Sequence, residues 1–98
     1  MAEFIVTAQE VRNKAAELRK INEQYKATVE NLKSEVARLS GMWEGEAHDS
    51  FDASFKNDGI RMDNFYTAIQ DYCVKLDDIA VNYNNAEARN VATASGNA

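Results

Sequence analysis

An all-α fold, an antiparallel helix-turn-helix hairpin, is what this sequence predicts, on three observations. Proline is absent and glycine occurs only four times in 98 residues, so breaks within a helix are scarce. Apolar residues recur at alternating steps of three and four along both halves of the chain. The two periodic runs are interrupted once, near the midpoint, by "SGMWEGEAHD" at residues 40–49, which holds the only tryptophan and two of the glycines.

The first helix is expected over about residues 7–40. In "VTAQEV" Thr7 can cap the amide of Glu10, Glu10 can reach back to Thr7, and Val6 can staple onto Val11. The apolar seam then runs Val11, Ala15, Leu18, Asn22, Tyr25, Val29, Leu32, Val36 and Leu39, with Asn22 its one polar member. Asn22 reads either as a polar register device in the core, as buried asparagine is in coiled coils, or, the preferred expectation, as a residue at the edge of the seam facing water. Acid-to-base pairs three residues apart (Glu17 with Lys20, Glu23 with Lys26, Glu30 with Lys33, Glu35 with Arg38) read as a solvated flank, each worth about 0.2–0.5 kcal/mol to the helix. Ser40 and Gly41 end the run, Gly41 being able to take the left-handed conformation that closes a helix.

A turn over residues 41–44 leads into a second helix over about 45–90. Its seam is Phe51, Phe55, Met62, Phe65, Ile69, Tyr72, Leu76, Ile79, Tyr83 and Ala86. Glu44, Glu46 and Asp49 lie where the helix dipole favours negative charge. Gly59, in "KNDGIR", is a candidate kink. Residues 91–98, "VATASGNA", are aperiodic and read as a flexible tail.

A short connection forces the helices antiparallel. Two helices alone enclose little core, and Ile5, Ile21, Tyr66, Cys73, Val74 and Val81 fall outside both seams, exposed on a lone hairpin. Pairing of two hairpins into a four-helix bundle is therefore expected. Its core would comprise Val11, Leu18, Tyr25, Leu32, Leu39, Phe51, Phe55, Met62, Phe65, Ile69, Tyr72, Leu76 and Ile79.

Charge and composition remove several function classes. The chain is acidic, with net charge −5, and shows no basic stripe of the kind that displaces counterions from nucleic acid. The single cysteine, Cys73, offers no disulfide and no metal-ligand spacing and reads as a small hydrophobe. The N-terminus lacks a basic region followed by an apolar stretch, and nowhere are eighteen apolar residues contiguous. Neither a cleavable signal peptide nor membrane insertion is expected. "HDSFD" at His48–Asp52 invites a metal or catalytic reading, but adjacent residues diverge on a helix and His48 with Asp52 supplies two ligands only, so His48 is expected to face solvent. With no phosphate loop, paired-cysteine motif or nucleophile elbow, the sequence predicts no enzyme and no cofactor.

The central "WEG", Trp43–Gly45, followed by Ala47 and Phe51, and "YNNAE" at Tyr83–Glu87 resemble the WXG family of about one hundred residues, the ESAT-like substrates of type VII secretion. The resemblance covers the whole chain. It implies that Trp43 and Gly45 form one half of an export signal and that Tyr83 and Glu87, the Tyr-x-x-x-Asp/Glu motif, form the other. It also implies a folded dimer, with itself or with a related WXG hairpin, and recognition by an FtsK-like secretion ATPase. The protein would then be made in the cytoplasm and secreted, as an effector, an adaptor or a secretion partner. A different reading of the same seams is an intracellular coiled-coil adaptor that binds a helical partner; such an adaptor needs neither motif.

Overall fold

The computed structural model describes residues 7–96, with side chains as far as Asn85. It contains two helices, α1 (Ala8–Ser40) and α2 (Glu46–Gly96), and no strand among the described residues. They lie antiparallel in a rod 78 Å long and 27 by 17 Å across.

Thr7 is the N-cap of α1. Its hydroxyl accepts the Glu10 amide at 3.0 Å, while the Glu10 carboxylate accepts the Thr7 amide at 3.2 Å, so two otherwise orphaned donors are satisfied reciprocally. The proposed staple of Val6 onto Val11 lies outside the described residues, as does Ile5.

The line of closest approach is built from small residues. On α1 the buried positions are Ala8, Ala15, Asn22 and Val29, and on α2 they are Gly59, Cys73 and Ala80, with half-buried Tyr66 between them. Each row repeats every seven residues, the spacing that keeps one stripe of a helix against an antiparallel neighbour. Small side chains let the two backbones approach, and in a two-helix layer only this one row per helix can be fully covered.

Asn22 corrects one expectation. It is 2% exposed and faces the partner helix, its side-chain amide donating to the Tyr66 carbonyl and to Gln70 Oε1, both at 3.0 Å. Burial is tolerated because both N–H groups are bonded. One turn further along α1, the Tyr25 hydroxyl donates to the Met62 carbonyl at 3.2 Å, a second polar stitch between the helices.

Cys73 and Tyr66 correct another: neither stands exposed on the hairpin, Cys73 being wholly buried in the seam. The contact row of α2 is offset from its most hydrophobic stripe. Phe65, Tyr72 and Ile79, one position before Tyr66, Cys73 and Ala80, stay 54%, 57% and 52% exposed. On α1, Leu18, Ile21, Leu32 and Leu39 are exposed too, while Val11 and Tyr25 are half-buried. Leu18, Ile21 and Tyr25 share with Phe65 and Ile69 the walls of one apolar depression of about 230 Å³, so the uncovered stripes of both helices lie on the same face of the rod. Met62, Leu76, Phe51 and Phe55 are half-buried along its inner edge.

The other flank of the seam is polar. Lys33 reaches across to Asp63, bonding both carboxylate oxygens at 2.7 and 2.9 Å rather than pairing with Glu30, and Arg19 bonds Asp77 at 2.5 Å. Lys26 lies over the Tyr66 ring, 5.0 Å from its centroid. Of the pairs expected along α1 itself, Arg38 with Glu35 is present at 2.6 Å, and Lys14 joins Glu17 at 3.0 Å. One face is thus greasy and open, the other charged and cross-linked.

Gly59 does not break α2, which runs continuously from Glu46. Its missing side chain instead accommodates the stem of Lys33, whose Cε would lie 3.5 Å from an added Cβ. At the far end the helix continues through residues 91–96, where the sequence suggests a tail. No proline or glycine precedes Gly96 in that stretch, so nothing in the backbone stops the helix earlier.

Candidate functional site

The connection between the helices is short because two glycines divide its tasks. Gly41 closes α1 in a right-handed conformation (φ −70°, ψ −14°), contrary to the left-handed cap expected of it, and its amide donates to the Ala37 carbonyl at 3.0 Å. Met42 follows with its amide on the Leu39 carbonyl at 3.0 Å. The left-handed residue is Gly45, at φ 119°, immediately before α2. Its carbonyl accepts the Asp49 amide at 3.1 Å, the first bond of the second helix. A side chain at Gly45 would meet nothing within 4 Å, so backbone conformation rather than crowding demands glycine there.

This reversal holds Trp43 at the tip of the rod, 38% exposed. Its ring meets His48 edge-on, centroids 5.5 Å apart and planes at 87°, and leans on Phe51 at 5.7 Å. Phe51 in turn stacks on Phe55 at 6.3 Å. Beside the indole opens a depression of about 310 Å³ walled by Gly41, Met42, Trp43 and Glu44.

His48 is not turned to solvent. Its side chain is 19% exposed and bridges the two helices, with Nε2 2.6 Å from the Ser40 hydroxyl at the end of α1 and Nδ1 3.0 Å from Asp49. The Ser40 hydroxyl also lies 3.3 Å from Asp52, to which it can donate. The order Ser–His–Asp is that of a hydrolytic relay, yet Asp49 is 82% exposed and the Ser40 oxygen is shared with a second carboxylate. The cluster closes a turn. Among the described residues no group of three or more His, Cys, Asp or Glu side chains could hold a metal ion. Sequence reasoning misses this clasp because Ser40 lies across the turn from His48; the one visible signal is His48 and Asp52 four apart on a helix face.

Tyr83 sits near the opposite end of the molecule, 39% exposed on α2. Glu87 follows one turn later on the same helix; its side chain lies outside the described residues, as does that of Ala86. About forty residues at about 1.5 Å each separate the indole from the phenol, so within one chain the two motifs stand about 55–60 Å apart. The fold does not bring them together.

None of the described helices is long and apolar enough to cross a membrane. The solved structures similar to this one include the secreted protein EsxB from Bacillus anthracis str. Sterne. In its selenomethionine form that protein is 21% identical, with 89% of this chain and 99% of that chain covered and a TM-score of 0.74. A second crystal form of the wild-type protein matches at 21% identity over 87% of this chain and 91% of that chain, again with a TM-score of 0.74. A glycine-to-alanine variant of it matches at 22% identity over 87% and 98%, with a TM-score of 0.73. At these identities the likeness is one of fold. No curated protein sequence matches the chain. The family model described as "Proteins of 100 residues with WXG" matches residues 3–88, nearly the full length, and its signature falls on the glycine-closed turn at Trp43–Gly45. The chain therefore belongs to the WXG100 family.

Proposed function

We propose that this protein is a non-enzymatic substrate of a type VII, ESAT-like secretion system, exported as a folded dimer of hairpins. The observation that carries the proposal is the pairing of two features. One face of the rod leaves Leu18, Ile21, Leu32, Leu39, Phe65, Tyr72 and Ile79 open to water. The two motifs stand at opposite ends of the same rod. Exposed apolar stripes of this length mark an interface, and covering them with a second hairpin run the opposite way completes a four-helix bundle. That arrangement sets Trp43 and Gly45 of each hairpin beside the region of Tyr83 and Glu87 of the other.

Each end of the dimer then carries one complete export signal, and neither hairpin carries one alone. A homodimer is the first choice because one chain supplies both halves; a related WXG hairpin would fit the same face. An FtsK-like secretion ATPase reads the composite surface, and the protein reaches the extracellular space. The name of EsxB as a secreted protein supports this reading.

The test is export of point variants. Trp43→Ala and Tyr83→Ala are expected to fold and accumulate in the cell while their amount in the culture medium falls sharply. If both reach the medium as the unaltered protein does, the secretion reading is wrong and an intracellular adaptor with an open apolar face becomes the better account.

A further inference from the structure

The cluster around His48 has a property that the turn alone does not require. We propose that His48 is a positioning residue for Trp43: a clasp that ties the end of α1 to the start of α2 and fixes the indole against its ring.

The bonding pattern differs with the charge on the ring. A neutral imidazole with its hydrogen on Nδ1 donates to Asp49, 3.0 Å away, and takes the Ser40 hydroxyl proton as acceptor at Nε2, 2.6 Å away. Ser40 then has nothing left to give Asp52. When the ring gains a proton from solvent, Nε2 donates to Ser40, and the hydroxyl passes its own hydrogen to Asp52 at 3.3 Å. The charged chain Asp49–His48–Ser40–Asp52 uses every donor, links both helices and ends on a carboxylate at each side.

Charged groups stand about the ring. Asp49 and Asp52 come from α2, with Lys56 behind Asp52 at 3.4 Å, and Glu44 and Glu46 lie in the connection and the first turn. From α1 comes the helix C-terminus, whose carbonyl ends attract a cation, while its nearest base, Arg38, is bonded to Glu35. The N-terminus of α2 opposes them.

The clasp stands on this geometry alone; its consequence for export rests on the secretion reading. Because Trp43 is the sole tryptophan, tryptophan fluorescence reports on the surroundings of this one indole. In His48→Ala, acrylamide should quench Trp43 more readily at unchanged helix content, and export should fall several-fold.

Unaltered quenching of Trp43 in His48→Ala overturns the clasp. Should His48→Ala fail to fold, the same quenching measurement on His48→Gln decides. Normal export of His48→Ala alongside retention of Trp43→Ala overturns the positioning role. Normal export of Trp43→Ala sinks the secretion reading and leaves the fluorescence result to judge the clasp on its own.

Discussion

Replacing glycine by alanine should act in opposite directions at Gly45 and Gly59, and the structure supplies both signs. At Gly45 the backbone sits at φ 119°, a region that residues with a Cβ rarely enter, and no atom lies within 4 Å of the added methyl. The cost of Gly45→Ala is therefore conformational, about 1–3 kcal/mol for holding a non-glycine residue in such a region. Gly59 lies inside α2 without a positive φ, and its added Cβ would meet only the flexible Cε of Lys33 at 3.5 Å, an ordinary contact. There the loss of glycine's freedom in the unfolded chain stabilises the helix by about 0.5–1 kcal/mol.

For a chain of this size each kcal/mol moves the melting temperature by about 4–8 °C. Gly59→Ala should raise it by about 2–8 °C, and Gly45→Ala should lower it by at least about 4 °C. Far-ultraviolet circular dichroism during heating measures both, at one protein concentration because association makes the midpoint concentration-dependent. A neutral Gly45→Ala, or a Gly59→Ala that destabilises, would refute the division of labour between the glycines.

Three further outcomes are expected. Asn22→Ala removes two neutral hydrogen bonds from a buried site, about 1 kcal/mol each, so urea unfolding should show a loss of about 2 kcal/mol; Asn22→Leu should lose less, because the added apolar surface offsets part of it. Tyr66 donates to Glu23 at 2.5 Å, which holds the phenol above its ordinary range, with burial adding in the same direction. A pKa raised on folding gives stability that is complete below the unfolded value of about 10 and is lost as pH climbs through the folded one. Phenolate absorbance should therefore develop at lower pH in Glu23→Gln than in the unaltered protein. Phe65→Asp and Tyr72→Asp place charge on a face already more than half open, so helix content should survive while sedimentation mass falls from two chains to one; a single-chain mass for the unaltered protein would contradict the dimer.

Local chemistry determined much of this molecule in advance. Thr7 and Glu10 carry a capping box whose bonds involve residues three apart, so its presence needs no knowledge of the fold. The absence of proline and the unbroken period of three and four imply two long helices, and Trp43–Gly45 marks the reversal between them. Hydrophobic pattern states that a side chain should leave water, not which neighbour removes it from water. That is why Phe65, Tyr72 and Ile79 read as the hairpin seam while the helices actually meet along Gly59, Cys73 and Ala80: close approach selects small residues and leaves the large ones exposed. Asn22 and His48 escape the sequence pattern for the same reason, since a polar group can be buried only when partners from another element arrive. Gln70 and the Tyr66 carbonyl lie more than forty residues from Asn22, and Ser40 lies across the turn from His48. Only the tertiary structure decides which donors and acceptors meet, and hence that the asparagine lies in the seam and the imidazole beneath the tryptophan.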